Sequence, residues 1–201
     1  MERHDLVTFE YRFDKVLAAL VYLASRPEVT NLDKKKAISL LFLADKAHLL
    51  RYGEPIFGDY YRALPYGIVP QETLDRLNAF GKQLHGRDIE RLAESLELIE
   101  VQGHPYPIMK AKVVPDFDAL SELELGALEK VVKLYGDKNF AQLKGPSHPS
   151  AWWKAWESKP FYRRAVPISY EDLFKNEPSA TEGSLEQMIE DFETQRALSG
   201  R

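Results

Sequence analysis

The segment AISLLFLADKAHLL, residues Ala37 to Leu50, constrains the fold more than any other part of the sequence. A helix on the surface of a protein carries one apolar stripe, and its remaining faces are polar. Here apolar residues point in several directions, because Ile38 and Phe42 fall on one face and Leu43 on another. Several other elements have to cover such a helix. The sequence therefore predicts a buried helix at the centre of the molecule, from Asp33 to about Arg51.

The segments around this helix predict one fold class. Apolar residues recur at helical spacing from about Arg12 to Ser25, after Pro70, and from Ser121 to Tyr135. Between the last two regions, LELIEVQ and PIMKAKVV alternate apolar and polar residues across GHPY, a pattern that is typical of a β-hairpin near residues 96–114. We therefore predict an α+β fold, mainly a helical bundle around the buried central helix with one β-hairpin.

Composition changes close to the carboxyl end of the chain. The segment NEPSATEGS is typical of a linker, and the residues after it form an amphipathic pattern. Six of the 31 acidic residues lie from Glu177 onward against only two arginines, which leaves 25 acidic and 25 basic residues before the tail. We predict a body of residues 1–176 and an acidic tail of residues 177–201 that ends in a helix.

Charge and composition limit the class of protein. A neutral body disfavours nucleic-acid binding, because contacts to phosphates require a basic surface. The one dense basic run, Lys34 to Lys36, is predicted to be a solvated helix face rather than a phosphate site. The absence of cysteine excludes disulfides and zinc–thiolate sites. The longest apolar run, Val16 to Ala24, is too short to cross a bilayer, and the first residues lack a signal-peptide pattern, so we expect a cytoplasmic protein without membrane contact.

Asp45 and His48 lie one turn apart on the predicted central helix. They could form an acid–base pair or part of a metal site, or they could bond to each other or to nearby backbone groups. An unpaired buried polar group costs roughly 1–3 kcal/mol, so pairing is expected without any catalysis. One aspartate and one histidine are too few ligands for a metal. We therefore predict a structural role for both side chains and no cofactor.

The connection YGEPIFGDYYRALPYGIVPQ, residues Tyr52 to Gln71, is unusual for a linker because it holds three glycines, three prolines and five aromatic rings. Prolines restrict the unfolded chain, glycines allow a positive φ, and aromatic rings supply apolar area for packing. We predict a rigid, Ω-like loop packed on the central helix. Whether it only covers the core or also presents a surface to a partner stays open at this point.

Exposed aromatic and apolar side chains are candidates for contact with a partner protein, because aromatic residues are enriched at binding hot spots. Spacing places two of the three tryptophans on one helical face, and we expect Trp152 in the core and at least one of the other two on the surface. The predicted tail helix could fold back on the body or lie in a groove of a partner. The partner-binding candidates are Tyr60, Tyr61, Arg62, Trp153, Trp156, Met188 and Phe192.

The central helix and the connection after it resemble a known family. LADKAHLLRYG, PIFGDYY and PYGIVPQ follow one another as they do in the Panacea domain, which is found in antitoxins such as SocA-like proteins and in phage-associated GepA-type proteins. LSELELGALEKVVKLYGD and LKGPSHPSAWW are similar to later segments of that family, so the resemblance covers roughly Asp33 to Trp153. Its structural signature falls on Asp45, His48, Tyr52, Gly53, Gly58, Tyr66, Gly67 and Pro70.

The resemblance implies a protein that neutralises a cognate toxin by direct contact. In a variant of this function, the protein acts as an adaptor that delivers the toxin to a cytosolic protease. Two alternatives remain at the level of sequence. One is a small hydrolase or phosphoryl-group enzyme that uses Asp45 and His48 with Tyr61 or Arg62, although no common catalytic motif is present. The other is a nucleic-acid-binding regulator, which the neutral body disfavours.

Overall fold

The computed structural model of the protein describes residues 7–143, 150–159, 161, 164–174, 190 and 194. In these parts of the chain the fold is α+β, as predicted, with eight α-helices and two small antiparallel sheets. The helices are α1 Phe13–Ser25, α2 Lys34–Tyr52, α3 Gln71–Gly81, α4 Arg87–Ser95, α5 Glu122–Tyr135, α6 Phe140–Leu143, α7 Ser150–Glu157 and α8 Tyr170–Phe174. The strands are β1 Tyr61–Leu64, β2 Gly67–Pro70, β3 Leu96–Ile99, β4 Ile108–Ala111 and β5 Val166–Pro167.

The central position predicted for α2 is confirmed. Thirteen of its nineteen residues are buried, so no broad face of the helix is left to solvent. Helices α1, α5 and α6 and strand β2 all pack against it. Asp33 caps its amino terminus by accepting a hydrogen bond from the amide of Lys36 at 2.9 Å. Gly53 ends it in the left-handed conformation, with φ of 76°, as a C-terminal glycine does.

One member of the basic run at the start of α2 does not lie on the solvated face that we predicted. Lys36 is only 3 % exposed, and its ammonium group donates to the carbonyl oxygens of Gly136, at 2.6 Å, and of Thr30. Burial lowers the pKa of this amine. The prediction was wrong for Lys36 because successive helical residues are rotated by about 100°, so three in a row cannot share one face.

The predicted β-hairpin is present as β3 and β4. Leu96 lies opposite Ala111, and Ile99 lies opposite Ile108. The outer edge of β4 is joined to the core, because the amide of Met109 donates to the carbonyl of Leu32 at 2.8 Å. This contact places the hairpin beside the first turn of α2.

A second hairpin, which we did not predict, lies within the connection Tyr52 to Gln71. Strand β1 pairs with β2 on one side and with β5 on the other, giving the order β2–β1–β5. From Tyr61 onward the connection is therefore sheet rather than an Ω-like loop. All four residues of β2 are buried, so the alternation that identifies half-buried strands is missing from the sequence.

The later elements follow the predicted order. Helix α5, predicted from Ser121 to Tyr135, begins with a capping box, in which the Ser121 side chain accepts from the amide of Glu124 and the Glu124 side chain accepts from the amide of Ser121. The predicted tail helix falls almost entirely outside the described residues, so the division into residues 1–176 and 177–201 stays a prediction.

Candidate functional site

The carboxylate of Asp45, on α2, accepts several hydrogen bonds from the connection that follows this helix. It accepts hydrogen bonds from the backbone amides of Ile56 and Phe57 and from the hydroxyl of Tyr61. The side chain is 1 % exposed, so it lies in the core under the connection. Burial raises the pKa of Asp45 to about 6, while the three hydrogen bonds to the carboxylate act in the opposite direction. Asp45 therefore holds two successive amides and the start of β1 in fixed positions.

His48 bonds to a nearby backbone group rather than to Asp45, which is one of the two structural roles that the sequence left open. Its Nδ1 lies 2.7 Å from the carbonyl oxygen of Glu54, so the ring binds the backbone of the connection. The ring is buried and lies 4.8 Å from the ring of Tyr52 between centroids. The Asp45 side chain bonds to backbone and to Tyr61 instead. Both polar groups of the helix are thus used to fix the connection.

Glycines of the predicted signature occupy positions that require them. Gly53, Gly58 and Gly67 all have positive φ. At Gly58 the chain also approaches the amino-terminal segment so closely that an added Cβ would lie 2.1 Å from the carbonyl oxygen of Glu10. Only glycine fits there. Pro70 is the N-cap residue of α3 and the last residue of β2.

Asp59 is a buried carboxylate that the sequence analysis missed. Its oxygens accept from the amides of Glu72 and Thr73 at 2.8 and 2.9 Å, and also from the Thr73 hydroxyl at 2.7 Å. It therefore caps α3 from the other side of the hairpin. Its own carbonyl oxygen accepts from the Tyr170 hydroxyl at 2.8 Å. Burial raises the pKa of Asp59. No local pattern reveals this cap, because donor and acceptor are separated by the β1–β2 hairpin.

The predicted contact residues divide into buried and exposed ones. Tyr61 is wrong as a contact residue, because it is 2 % exposed and its hydroxyl is bound to Asp45. It faces α2 because side chains alternate along β1, and Arg62 is half-buried on the other face. Tyr60 is exposed.

The tryptophan helix α7 has one buried and one exposed ring, as we predicted. Trp152 is buried, and its indole N–H donates to the carbonyl of Leu64 at 2.7 Å, which joins α7 to β1. Trp156 stacks on Trp152 at 5.3 Å and is half-buried. Trp153 is 54 % exposed. The remaining candidates, Met188 and Phe192, lie outside the described residues.

A cluster of four side chains from distant parts of the sequence was also missed. We call it the Lys35 cluster, and it consists of Lys35, Tyr66, Tyr106 and Phe140. The ammonium nitrogen of Lys35 lies 4.4 Å from the Tyr106 ring centroid and 5.6 Å from each of the other two. It also donates to the Tyr106 hydroxyl at 3.0 Å, so the hydrogen bond is the main contact with that ring. Tyr66, at the turn between β1 and β2, is 55 % exposed.

The polar residues of the core do not form an open reactive site. Asp45 and His48 are buried and bound to backbone groups, which argues against the hypothesis that the pair acts on a substrate. Within the described parts of the chain, no group of three or more potential metal-ligating side chains is arranged to hold an ion. No helix in those parts has the length and apolar character needed to cross a membrane.

Comparison with known proteins agrees with the resemblance. The family model for the antitoxin SocA-like Panacea domain matches residues 39–154, which run from the first turns of α2 into α7. This is more than half of the 201 residues. No curated protein and no solved structure shows a significant match. The match includes Asp45, His48 and the whole β1–β2 hairpin. The chain belongs to the family of SocA-like antitoxins that is defined by the Panacea domain.

Proposed function

We propose that this protein is an antitoxin-type binding module that neutralises a cognate toxin by direct, stoichiometric contact. Membership of the SocA-like family supports a toxin as the partner. The observation that carries the proposal is a contrast between α2 and the connection after it: buried polar residues of the helix fix the backbone of the connection, and aromatic residues of the connection are exposed. Asp45 and His48, the polar signature residues of α2, bind backbone groups inside the molecule, whereas Tyr60 and Tyr66 of the connection are exposed.

The exposed aromatic side chains supply a contact surface. Tyrosine and tryptophan provide large apolar area with a polar group at the edge, and they dominate the binding energy of many interfaces. Tyr60 precedes β1, and the hydrogen bond from Trp152 to Leu64 joins α7 to the other end of that strand. Trp153 is therefore carried by a helix that is fixed to the same hairpin. We propose that Tyr60, Arg62, Trp153 and Trp156 contribute to the toxin contact.

Rigidity of the hairpin favours binding. A partner surface that is already ordered loses less conformational entropy on association than a flexible one does. Asp45 accepts from two backbone amides and His48 bonds to a backbone carbonyl, and these contacts fix the backbone of residues 54–57, shortly before Tyr60. Replacement of the exposed side chains can then change the partner without changing the scaffold.

Growth rescue and co-purification test this function. The full chain is co-expressed with the product of the neighbouring gene as the toxin, and growth and complex formation are measured. We expect rescue and a complex. The double variant Tyr60→Ala/Trp153→Ala should weaken binding by about 30-fold, since a hot spot contributes about 2 kcal/mol or more.

A matched control removes two exposed apolar side chains from a different surface. Leu123→Ala/Leu134→Ala on α5 should bind the toxin as the unchanged chain does. Absence of both rescue and complex for the unchanged chain would refute the proposed function. Equal loss in the two double variants would refute the assignment of the surface.

The adaptor variant of the function is tested separately. In cells, toxin half-life is measured by a translation-stop chase with and without this protein. An adaptor shortens the half-life of the toxin, whereas a purely steric antitoxin leaves it unchanged or lengthens it. An unchanged half-life would remove the adaptor role and leave direct neutralisation in place.

A further inference from the structure

A cleft of about 290 Å³ opens between the first turn of α2, the end of α3 and the β3–β4 hairpin. Its lining is mainly apolar, with Leu77, Phe80 and Met109 buried and Leu98 38 % exposed. The volume lies at the lower limit of the roughly 300–1,000 Å³ that is typical of sites for drug-sized ligands. A cleft of this size matches one or two side chains of a peptide.

Three lysines line the same cleft, namely Lys34, Lys35 and Lys82. Lys34 donates to the side-chain oxygen of Asn78 at 2.6 Å, and Lys35 donates to the Tyr106 hydroxyl at 3.0 Å. Both acceptors are neutral. Within the part of the chain that the structure describes, none of the three lysines forms an ion pair with a carboxylate. Their positive charge is therefore available to a ligand.

The one acidic residue that lines the cleft does not cancel this charge. Asp33 is buried, and one of its oxygens caps α2 by accepting from the amide of Lys36. Its other oxygen lies 3.7 Å from Nε2 of His104. The cleft thus combines an apolar floor with a surplus of positive charge, and this surplus comes from side chains rather than from the capped helix end.

We infer that this cleft binds an acidic segment of the partner protein, with one bulky apolar side chain on the floor and carboxylates beside the lysines. The inference deepens the proposed function and rests on it for the identity of the partner as the toxin. Complementary charge and an apolar anchor are the two properties that the cleft presents. Charges at the rim of an interface act mainly on the association rate and on its salt dependence.

The first test measures binding of the full chain to the toxin at several salt concentrations. Lys34→Glu/Lys82→Glu should weaken binding about tenfold at low salt through slower association, and the difference should shrink as salt screens the charges. Lys130→Glu/Lys133→Glu on α5 makes the same change in net charge on another surface, and it should bind within about twofold of the unchanged chain. Equal behaviour of the two variants would overturn the inference and leave the proposed function intact.

The second test does not depend on the toxin. A methyl NMR titration uses a synthetic peptide of four glutamates around a central leucine, together with the same peptide carrying alanine in the centre. The leucine peptide should shift the methyl signals of Leu77, Leu98 and Met109, with an affinity several-fold higher than that of the alanine peptide. These shifts should be lost in Lys34→Glu/Lys82→Glu. No shift at millimolar peptide, or shifts elsewhere on the protein, would overturn the inference even if the toxin does not bind.

Two other occupants would also overturn it. If the acidic tail of this chain filled the cleft, the changes Glu182→Gln, Glu186→Gln and Glu190→Gln in the full chain would strengthen peptide binding. If the cleft took a small anion, inorganic phosphate would compete with the peptide more strongly than chloride of equal ionic strength. We expect neither tail neutralisation nor phosphate to change peptide binding beyond the effect of ionic strength.

Discussion

Replacement of Asp45 by asparagine separates the charge of this side chain from its hydrogen bonds. Asparagine has the same shape, and its carbonyl oxygen can still accept from the amides of Ile56 and Phe57. The variant therefore removes the titration of the group and keeps most of the geometry that the aspartate imposes on the connection.

The size of the effect follows from the raised pKa of Asp45. The pKa of Asp45 is about 6 in the folded protein, against the ordinary value of 3.8 for a solvated carboxyl group, which stands for the unfolded chain. A raised folded pKa means that the stability contributed by protonated Asp45 is fully present below pH 3.8 and is lost as the pH rises through 6. Between pH 4 and pH 7 this loss amounts to about 2 kcal/mol. Asparagine does not titrate, so the Asp45→Asn variant loses no stability through this group as the pH rises.

Urea unfolding followed by tryptophan fluorescence measures this difference. The free energy of unfolding of Asp45→Asn minus that of the unchanged chain should rise by about 2 kcal/mol from pH 4 to pH 7, because all other titrating groups are common to both chains. Tyr61→Phe removes a hydrogen bond that lowers the pKa of Asp45, so its pH-dependent loss should extend to higher pH. A difference that is constant with pH would refute the claim that burial dominates at Asp45.

Three further substitutions test other contacts. Gly58→Ala should lower the free energy of unfolding by at least about 2 kcal/mol in urea titrations, because alanine has to adopt a positive φ while its Cβ overlaps the carbonyl of Glu10. Surface substitutions change this free energy by roughly 0.5 kcal/mol, so an effect smaller than that would contradict the close approach. Lys36→Met should lower the free energy of unfolding by roughly 1–2 kcal/mol in thermal or urea unfolding, because the buried carbonyl of Gly136 loses its donor. An unchanged free energy of unfolding would contradict a net contribution of this hydrogen bond to stability. Trp152→Phe should destabilise the protein, whereas Trp153→Phe should not, since only the first indole N–H has a backbone acceptor that the structure shows; equal stabilities would contradict this difference.

The sequence predicted the central helix because burial leaves a direct trace in composition. Apolar residues that point in several directions along residues 37–50 predict a buried helix, and the structure buries most of that segment. The capping box at Ser121 and the glycine at position 53 were also predictable, because each depends on residues within one helical turn. The β3–β4 hairpin was visible through its alternation of apolar and polar residues.

The features that the sequence did not predict depend on contacts between distant segments. The β1–β2 hairpin has two four-residue strands without clear alternation, and its partner β5 lies about a hundred residues later. The Lys35 cluster joins residues from α2, α6 and the turns of two hairpins. Tyr61 is buried because it falls on the inward-facing side of β1. The sequence of β1 shows no clear strand pattern, so it does not reveal which side chains of the strand face inward. Local patterns therefore identified the scaffold, and tertiary packing determined which of its aromatic side chains reach the surface.

The way in which the amino-terminal segment meets α8 has a mechanical consequence. The amide of Val7 donates to the Glu171 carboxylate at 3.2 Å, and the ring of Phe9 packs edge-on against Tyr170 at 4.9 Å. Both ends of the described body therefore lie side by side. Opposing forces on these ends, such as those exerted by an unfolding motor, would load this small set of contacts first. The remaining helices of the body would bear tension only after these contacts had broken.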